Sequence, residues 1–175
     1  MTIKCNENIT LRSISESDTE NVLRWRNSKE VVQYFNYQAK VTVADHQKWL
    51  DTKVKTGNVY QFIIHDSYLR KDVGSVYLQD IDHENSKAEY GIFIGEKEAL
   101  NKGIGSVVAK TIISFAFKNL KLNRLFLQVH ADNVRAIKCY ENVGFMKEEL
   151  LRNNVFVNGK YCDIVIMGIM REDKM

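Results

Sequence analysis

The sequence contains no proline and only three cysteines, and it has no long hydrophobic run. Without proline, its turns depend on glycine, asparagine and aspartate. The cysteines, Cys5, Cys139 and Cys162, are an odd and scattered set without a Cys-x-x-Cys pair, so we expect no disulfide bond and no metal site. No segment approaches the roughly 18 consecutive apolar residues of a membrane span, and the N-terminus lacks a signal-peptide core. We therefore expect a cytoplasmic protein that binds no membrane.

Charge and length narrow the class of protein further. The net charge of +3 is too small to indicate a nucleic-acid-binding protein, although it suits an anionic small molecule. The 175 residues can bury a substantial core and show no repeat, linker or low-complexity tract. Residues 1–175 are therefore predicted to form a single domain.

Hydrophobic periodicity predicts both helices and strands. Alternating or continuous apolar runs predict strands at 9–14, 60–65, 73–82, 88–94, 125–130, 145–157 and 160–170. The last two are joined at Asn158-Gly159, a strong hairpin signal. Helical patterns cover a segment opened by a capping box at 17–20, then 30–35, 42–57, 104–120 and 134–142. This order predicts an α+β fold with a mostly antiparallel sheet.

A glycine turn precedes the longest predicted helix. Lys102-Gly103-Ile104-Gly105-Ser106 lies between the strand 89–94 and the helix 104–120. Glycines allow close backbone approach, and the unpaired N–H groups of a helix start attract an anion such as a phosphate. A tight turn with close helix packing explains the glycines equally well. A P-loop string is absent, and Val108 stands where a dinucleotide fingerprint needs its third glycine, so neither ATP nor NAD is favoured.

A second motif follows the strand 125–129. The segment 131–145 contains Asn133, Ala136, Tyr140 and Gly144-Phe145 at fixed spacing, and together with the Lys-Gly-Ile-Gly turn it resembles the GNAT acetyltransferase superfamily. The resemblance implies the GNAT fold, with a mixed, mostly antiparallel seven-stranded sheet flanked by about four helices. It also implies acetyl-CoA as cosubstrate.

The same resemblance implies where acetyl-CoA binds. Pyrophosphate is expected on the backbone amides of five consecutive residues: Lys102, Gly103, Ile104, Gly105 and Ser106. Pantetheine is expected to run like an added strand beside Ile92, Phe93 and Ile94. Asn133 is expected either to contact pantetheine or to cap its helix, and Arg135 to reach the phosphates. The family usually has Arg or Gln where this chain has Leu100, so one charged contact is missing.

Amide formation from a thioester needs positioning of the amine, removal of its proton and protonation of the departing thiolate. Tyr140 lies at the family's tyrosine position, which implies that it is the acid. Glu89 is the candidate base, because alternation places it with Gly91 on one face of a strand. His130 or a water chain is the alternative base. Cys139 has no histidine partner signal and is not a candidate nucleophile.

The N-terminal half suggests the acceptor. Arg24-Trp25-Arg26-Asn27 and the later His46 and Trp49 resemble the acetyltransferases of nucleotide-activated amino sugars in the pseudaminic acid pathway. The resemblance implies that the 4-amino group of a UDP-linked dideoxy sugar is acetylated, with an arginine on the diphosphate and a tryptophan stacked on base or sugar. The alternative is an ordinary helix with Trp25 in the core.

Two other functions remain open at this point, as does the oligomeric state. One is a protein N-terminal acetyltransferase of the ribosomal-protein type, and the other is an acyl-CoA-binding module without turnover. Whether the final hairpin pairs across a homodimer is left open by the sequence.

Overall fold

The computed structural model describes residues 1–174. Its centre is one sheet of eight strands: β1 (Thr2–Lys4), β2 (Ile9–Ser13), β3 (Tyr60–Asp66), β4 (Lys71–Asp82), β5 (Lys87–Ile94), β6 (Arg124–His130), β7 (Met146–Val157) and β8 (Lys160–Met170). The spatial order is β1-β2-β3-β4-β5-β6-β8-β7, and every pair is antiparallel except β5–β6. The predicted α+β class is confirmed, with one more strand than expected. The extra strand is β1, whose three residues are too few to give a periodic signal.

Five α-helices cover the two faces of the sheet: α1 (Thr19–Arg26), α2 (Lys29–Val32), α3 (Val43–Trp49), α4 (Ile104–Lys118) and α5 (Val134–Val143). A short π-helical stretch, Leu50–Val54, continues α3. Phe62 and Ile64 of β3 point into the larger core, which includes residues of α4 and α5, whereas Ile63 points into a smaller core with α1 and α2. Among the described residues, no helix has both the length and the apolarity needed to cross a membrane.

The start of α1 differs from the prediction. The capping box lies at Ser15 and Asp18, two residues before the predicted pair, and it opens a short 3-10 turn that leads into α1. Asp18 is held there by Arg12 of β2, with Nη2 and Oδ1 2.6 Å apart. A local pattern could not reveal this tertiary ion pair, which decides where the chain turns. The second helix is also shorter than predicted, at four residues.

The parallel strands β5 and β6 are paired over only part of their length, which leaves a wedge-shaped gap in the sheet. Their pairing covers Lys87 to Glu89 of β5 against Arg124 to Phe126 of β6, and it stops there. From Tyr90 onward β5 keeps β4 as its neighbour, whereas β6 continues beside β8. The two strands therefore diverge, and the backbone groups of 91–94 that face β6 have no ladder partner among the described strands. The wedge-shaped gap between β5 and β6 positions the site.

Candidate active site

A cavity of about 1010 Å³ extends from the wedge between β5 and β6 to the short N-terminal helices. One end is formed by the start of α4, the first turns of α5 and the free edge of β5. The other end is formed by α1, the segment 30–41 and α3. The side chains of this second end adjoin the polar face of β5 at Glu89. The cavity therefore has two halves, which differ in how they are built.

The glycine turn forms the end wall of the first half. Gly103 has φ +74° and ψ 1°, a left-handed conformation that costs glycine little and that precedes the first residue of α4. Gly103, Ile104, Gly105 and Ser106 all line the cavity. The first N–H groups of α4 have no partner within the helix, so they fit an anionic group such as a diphosphate. Lys102 is outside the wall, and its Nζ lies 5.7 Å from the centre of the Tyr68 ring.

The free edge of β5 fits an extended ligand. Ile92, Phe93 and Ile94 line the cavity at the point where β6 has diverged. Their unpaired backbone groups can bind the amides of a chain laid alongside, in the manner of an added strand. The Phe93 side chain itself faces the other way, into the smaller core, where its ring lies 6.4 Å from that of Trp25. Arg135 and Leu100 also line this half, so Leu100 occupies the wall where the family usually has a polar side chain.

Asn133 caps α5. Its Oδ1 accepts a hydrogen bond from the Ala136 N–H at 3.2 Å, which is the local alternative that the sequence allowed. Since Asn133 also lines the cavity, the cap fixes where α5 begins within the wall.

Tyr140 lies on α5, at the junction of the two halves. Its ring is edge-on to Tyr90, with centroids 6.1 Å apart, and 5.9 Å from Phe145. Burial raises the pKa of Tyr140, so the phenol stays protonated at neutral pH. A neutral phenol at the cavity wall can donate a proton to a leaving group.

Glu89 faces the cavity from the opposite side of β5. Its Oε2 accepts a hydrogen bond from Gln79 Nε2 at 2.8 Å, and Gln128 Nε2 lies 3.4 Å from Oε1. Burial raises the pKa of Glu89, the Gln79 hydrogen bond opposes this, and the negative charge of Asp80 adds to the increase. A carboxylate with a raised pKa is better suited to accept a proton from an amine near neutral pH.

The alternative base, His130, lies outside the wall. It is 4% exposed, and its Nε2 is 3.1 Å from Asn36 Oδ1. Burial lowers its pKa, as expected for a neutral structural histidine. Cys139 contacts the glycine turn, with its Sγ 3.3 Å from Ser106 Oγ.

Three of the predicted acceptor residues line the second half of the cavity: Arg26, His46 and Trp49. The Arg26 guanidinium lies 3.6 Å above the centre of the Phe35 ring, and its Nη2 donates to the Tyr37 carbonyl oxygen at 2.9 Å. Its Nη1 is buried without a hydrogen-bond partner among the described residues, and burial lowers its pKa.

His46 and Trp49 project from α3. His46 Nδ1 is 3.0 Å from Thr19 Oγ1, whereas its Nε2 is buried without a partner among residues 1–174. Trp49 Nε1 donates to Gln61 Oε1 at 2.8 Å, which fixes the indole in the wall. The second half thus offers two unpartnered polar atoms and one oriented aromatic ring.

The other three predicted acceptor residues do not line the cavity, and their assignment is corrected. Trp25 is 1% exposed and belongs to the smaller core, the alternative that the sequence had allowed. Trp25 Nε1 and Arg24 Nη2 both donate to Glu96, at 2.7 and 2.5 Å. Burial opposes ionisation of Glu96, but these hydrogen bonds and that of Lys71 lower its pKa to about 2. Asn27 exchanges two hydrogen bonds with the backbone of Val41, so it positions the segment 33–41.

Tyr77 is a cavity residue that the sequence analysis missed. It lies on β4 directly opposite Gly91, and its ring covers the backbone there so closely that a side chain at Gly91 would overlap it. Burial raises its pKa to about 12, so it remains a neutral hydroxyl. The pairing of a tyrosine with a glycine across two strands can be recognised only once the register of those strands is known.

No metal site accompanies the cavity: within residues 1–174, no group of three or more His, Cys, Asp or Glu side chains is placed to hold a metal ion.

Comparison with known proteins identifies the architecture. The profile of the acetyltransferase (GNAT) domain family matches residues 8–146, which include both halves of the cavity. The chain belongs to the GNAT acetyltransferase family. It is therefore an acetyl-CoA-dependent N-acetyltransferase, and the wedge and glycine turn fit that cosubstrate.

Relatives of this GNAT enzyme match it over nearly their full length. It is 27% identical to a putative ribosomal N-acetyltransferase of Bacillus subtilis, covering 98% of this chain and 96% of the relative. It is 29% identical to the spermidine N(1)-acetyltransferase of Escherichia coli K12, over 93% and 86% of the two chains. These names refer to ribosomal and polyamine substrates, and not to the amino-sugar enzymes that the sequence motifs resemble.

Solved structures share the fold. The spermidine N-acetyltransferase of Vibrio cholerae in complex with CoA and spermine superposes with a TM-score of 0.89 at 24% identity, covering 96% of this chain and 98% of that one. Another structure of the V. cholerae enzyme, described as dodecameric, has a TM-score of 0.84 at 23% identity, over 97% and 98% of the chains. At this identity the likeness concerns the fold.

Proposed function

We propose that this enzyme acetylates the primary amine of a small anionic acceptor, a nucleotide-linked amino sugar. The single observation that supports this acceptor most is Arg26, which lines the cavity and whose Nη1 is buried without a hydrogen-bond partner among the described residues. A buried guanidinium N–H without an acceptor is costly, and the bidentate fork of arginine matches a phosphate. An anionic group of the acceptor would supply the missing partner.

The aromatic side chains of the second half fit the rest of such a molecule. Trp49 presents a fixed indole, and Tyr34, Phe35 and Tyr37 line the same end. Flat rings of this kind can stack on a nucleobase or on the apolar face of a sugar. The buried and unpartnered Nε2 of His46 is a further hydrogen-bonding site for a sugar hydroxyl or a phosphate oxygen.

The reaction then follows from Glu89 and Tyr140. Glu89 accepts a proton from the acceptor amine, and the nitrogen lone pair attacks the carbonyl carbon of the thioester. As the C–S bond breaks, the Tyr140 hydroxyl donates its proton to the departing thiolate. Burial raises the pKa of Tyr140, which keeps the phenol protonated, and the raised pKa of Glu89 makes its carboxylate a stronger base.

A polyamine is the second candidate acceptor, favoured by the spermidine-acetylating relatives and by three carboxylates in the wall: Glu30, Asp45 and Glu89. Two of these carboxylates are already engaged. Glu30 pairs with Lys97 at 2.6 Å, and Asp45 accepts hydrogen bonds from the N–H and hydroxyl of Thr42, the N-cap of α3. A polycation entering here would meet the uncompensated charge of Arg26, so the anionic acceptor is the better fit.

The deciding experiment supplies acetyl-CoA with one acceptor at a time and follows release of free CoA thiol. The acceptors are a UDP-linked 4-amino dideoxy sugar, spermidine, and N-terminal peptides of ribosomal proteins. We expect turnover with the sugar nucleotide, inhibited by UDP in competition with the acceptor. Turnover with spermidine or a peptide, unaffected by UDP, would contradict the proposal, as would no turnover with any sugar nucleotide.

The oligomeric state also remains a prediction. Strand β7 is an outer strand of the sheet, and the β7–β8 hairpin exposes Phe156 and Tyr161, at 63% and 64%. Pairing of this hairpin across a homodimer would cover both rings. Sedimentation of the wild type beside a Phe156→Ser, Tyr161→Ser variant tests this, because the double variant is expected to be monomeric.

A further inference from the structure

The hydroxyl group of Tyr90 is buried and has no hydrogen-bond partner among the described residues. Tyr90 is only 3% exposed, and it belongs to the larger core. Since buried hydroxyl groups in folded proteins almost always have a partner, an unpaired one beside a cavity points to a partner from outside the chain, such as a ligand in that cavity. The other two unpartnered atoms, on Arg26 and His46, belong to the end of the cavity formed by α1, the segment 30–41 and α3, which we call the acceptor half. Tyr90 does not belong to that half.

Tyr90 lies where the wedge begins. It directly follows Glu89, the last residue of β5 that pairs with β6, and it lines the same cavity. Alternation along β5 places its side chain on the face opposite to that of Glu89, toward α4 and α5. The hydroxyl therefore belongs to the other end of the cavity, formed by the start of α4, the first turns of α5 and the free edge of β5, which we call the cofactor half.

Two aromatic rings pack against the ring of Tyr90, and no described residue forms a hydrogen bond with its hydroxyl. Its ring is edge-on to Tyr140 at 6.1 Å and tilted against Phe145 at 5.9 Å. These contacts hold the ring in place while leaving the hydroxyl unsatisfied. An acetyl-CoA arm laid along the free edge of β5 would pass this point, and it would bring amide carbonyl and hydroxyl oxygens as acceptors.

We propose that the Tyr90 hydroxyl donates a hydrogen bond to the pantetheine arm of acetyl-CoA and so positions the thioester beside Tyr140. Tyr90 is then a positioning residue, distinct from the proton donor Tyr140. The inference depends on acetyl-CoA as cosubstrate and not on the identity of the acceptor, so it can be tested while the acceptor is unknown.

The test compares Tyr90→Phe with Tyr60→Phe. Tyr60 is a half-buried tyrosine that packs on Phe115, with centroids 5.8 Å apart, and does not line the cavity. Calorimetric titration with acetyl-CoA, without acceptor, is expected to show roughly 2- to 10-fold weaker binding for Tyr90→Phe, the equivalent of one neutral hydrogen bond. Tyr60→Phe is expected to bind like the wild type.

Two further measurements separate a ligand contact from a structural role. S-acetyl-pantetheine, which lacks the nucleotide, should lose the same factor, because the contact lies on the arm. Urea unfolding of the free protein should show no destabilisation by Tyr90→Phe, because the change removes a hydroxyl that has no partner before ligand binds.

Three results would overturn the proposal. They are unchanged acetyl-CoA affinity in Tyr90→Phe, a loss seen with acetyl-CoA but not with S-acetyl-pantetheine, and destabilisation of the free variant. The last would show that the hydroxyl already has a partner within the protein.

Discussion

The two halves of the cavity are built from different parts of the chain. The cofactor half is made of backbone: the start of α4 after Gly103, and the edge of β5 left free where β6 diverges. The acceptor half is made of side chains on short helices, with Arg26 and His46 each leaving one buried atom unpartnered. Backbone groups bind what every family member must bind, whereas side chains can change from one enzyme to the next. The difference explains why the cosubstrate was easier to infer than the acceptor.

The largest effect is expected from loss of the candidate base Glu89, which lies where the two halves of the cavity meet. Glu89→Gln keeps the shape and a hydrogen-bonding amide but removes the base, so we expect kcat to fall roughly 10²- to 10⁴-fold. Free-thiol release measures kcat, and calorimetry is expected to show unchanged acetyl-CoA affinity. A variant with near wild-type kcat would assign proton removal to water.

The next largest effect is expected to differ between two arginines that are two positions apart in the sequence. Arg26→Met removes the cation that lines the acceptor half, whereas Arg24→Met removes one that pairs with Glu96 outside it. A charge-assisted hydrogen bond is worth about 1.5–3 kcal/mol, so the acceptor KM should rise roughly 10- to 100-fold for Arg26→Met only. Equal effects of the two variants would remove the argument for an anionic acceptor.

A pair of glycines gives the third test. Gly91→Ala forces its side chain into the Tyr77 ring, so we expect a loss of about 1–3 kcal/mol in the free energy of unfolding, as in other overpacked sites. The control is Gly105→Ala in α4, whose Cβ would lie an ordinary 3.4 Å from Cys139 Sγ. Urea denaturation should show the control as stable as the wild type or more so, because alanine favours a helix. Equal stability of the two variants would mean that Tyr77 is free to move.

The smallest effect concerns pH. Asp80 occupies a β-bulge of β4 with φ +49°, near Glu89, and burial first and then the charge of Asp80 raise the pKa of that carboxyl. The Gln79 and Gln128 amides oppose the increase. Asp80→Asn removes the negative charge, so the pKa of Glu89 should fall and the acid limb of kcat/KM should move to lower pH.

The matched control for the pH test is Asp82→Asn on the same strand, which binds Asn85 instead. Its profile should stay in place. If the profile of Asp82→Asn shifts, or that of Asp80→Asn does not, the acid limb does not report the titration of Glu89.

The elements of the fold were largely predictable because their signals are local. The Asn158-Gly159 hairpin, the strand and helix on either side of Gly103, and the helix of Tyr140 all appear where the sequence patterns place them. The exceptions are elements that depend on distant partners. Three-residue β1 exists because β2 pairs with it, and α1 starts where Arg12 holds Asp18.

The candidate site divides in the same way. The resemblance to the family was enough to indicate Gly103, Asn133 and Tyr140, since its motifs lie on a turn, a cap and a helix face, which are local structures. For Trp25, the sequence pattern left two possibilities, an acceptor contact or the core, and only the structure, with Glu96 bound to its indole, decides for the core.

What the sequence by itself determined is the α+β order, the glycine turn before the longest helix and the resemblance to the GNAT family. Tertiary structure alone decided which face of α1 meets the cavity, that Tyr77 covers Gly91, and that Tyr90 is left with an unpaired hydroxyl. The physical reason is range: dihedral preferences and helix caps act within a few residues, whereas burial, strand register and the loss of a hydrogen-bond partner arise between segments far apart in the chain.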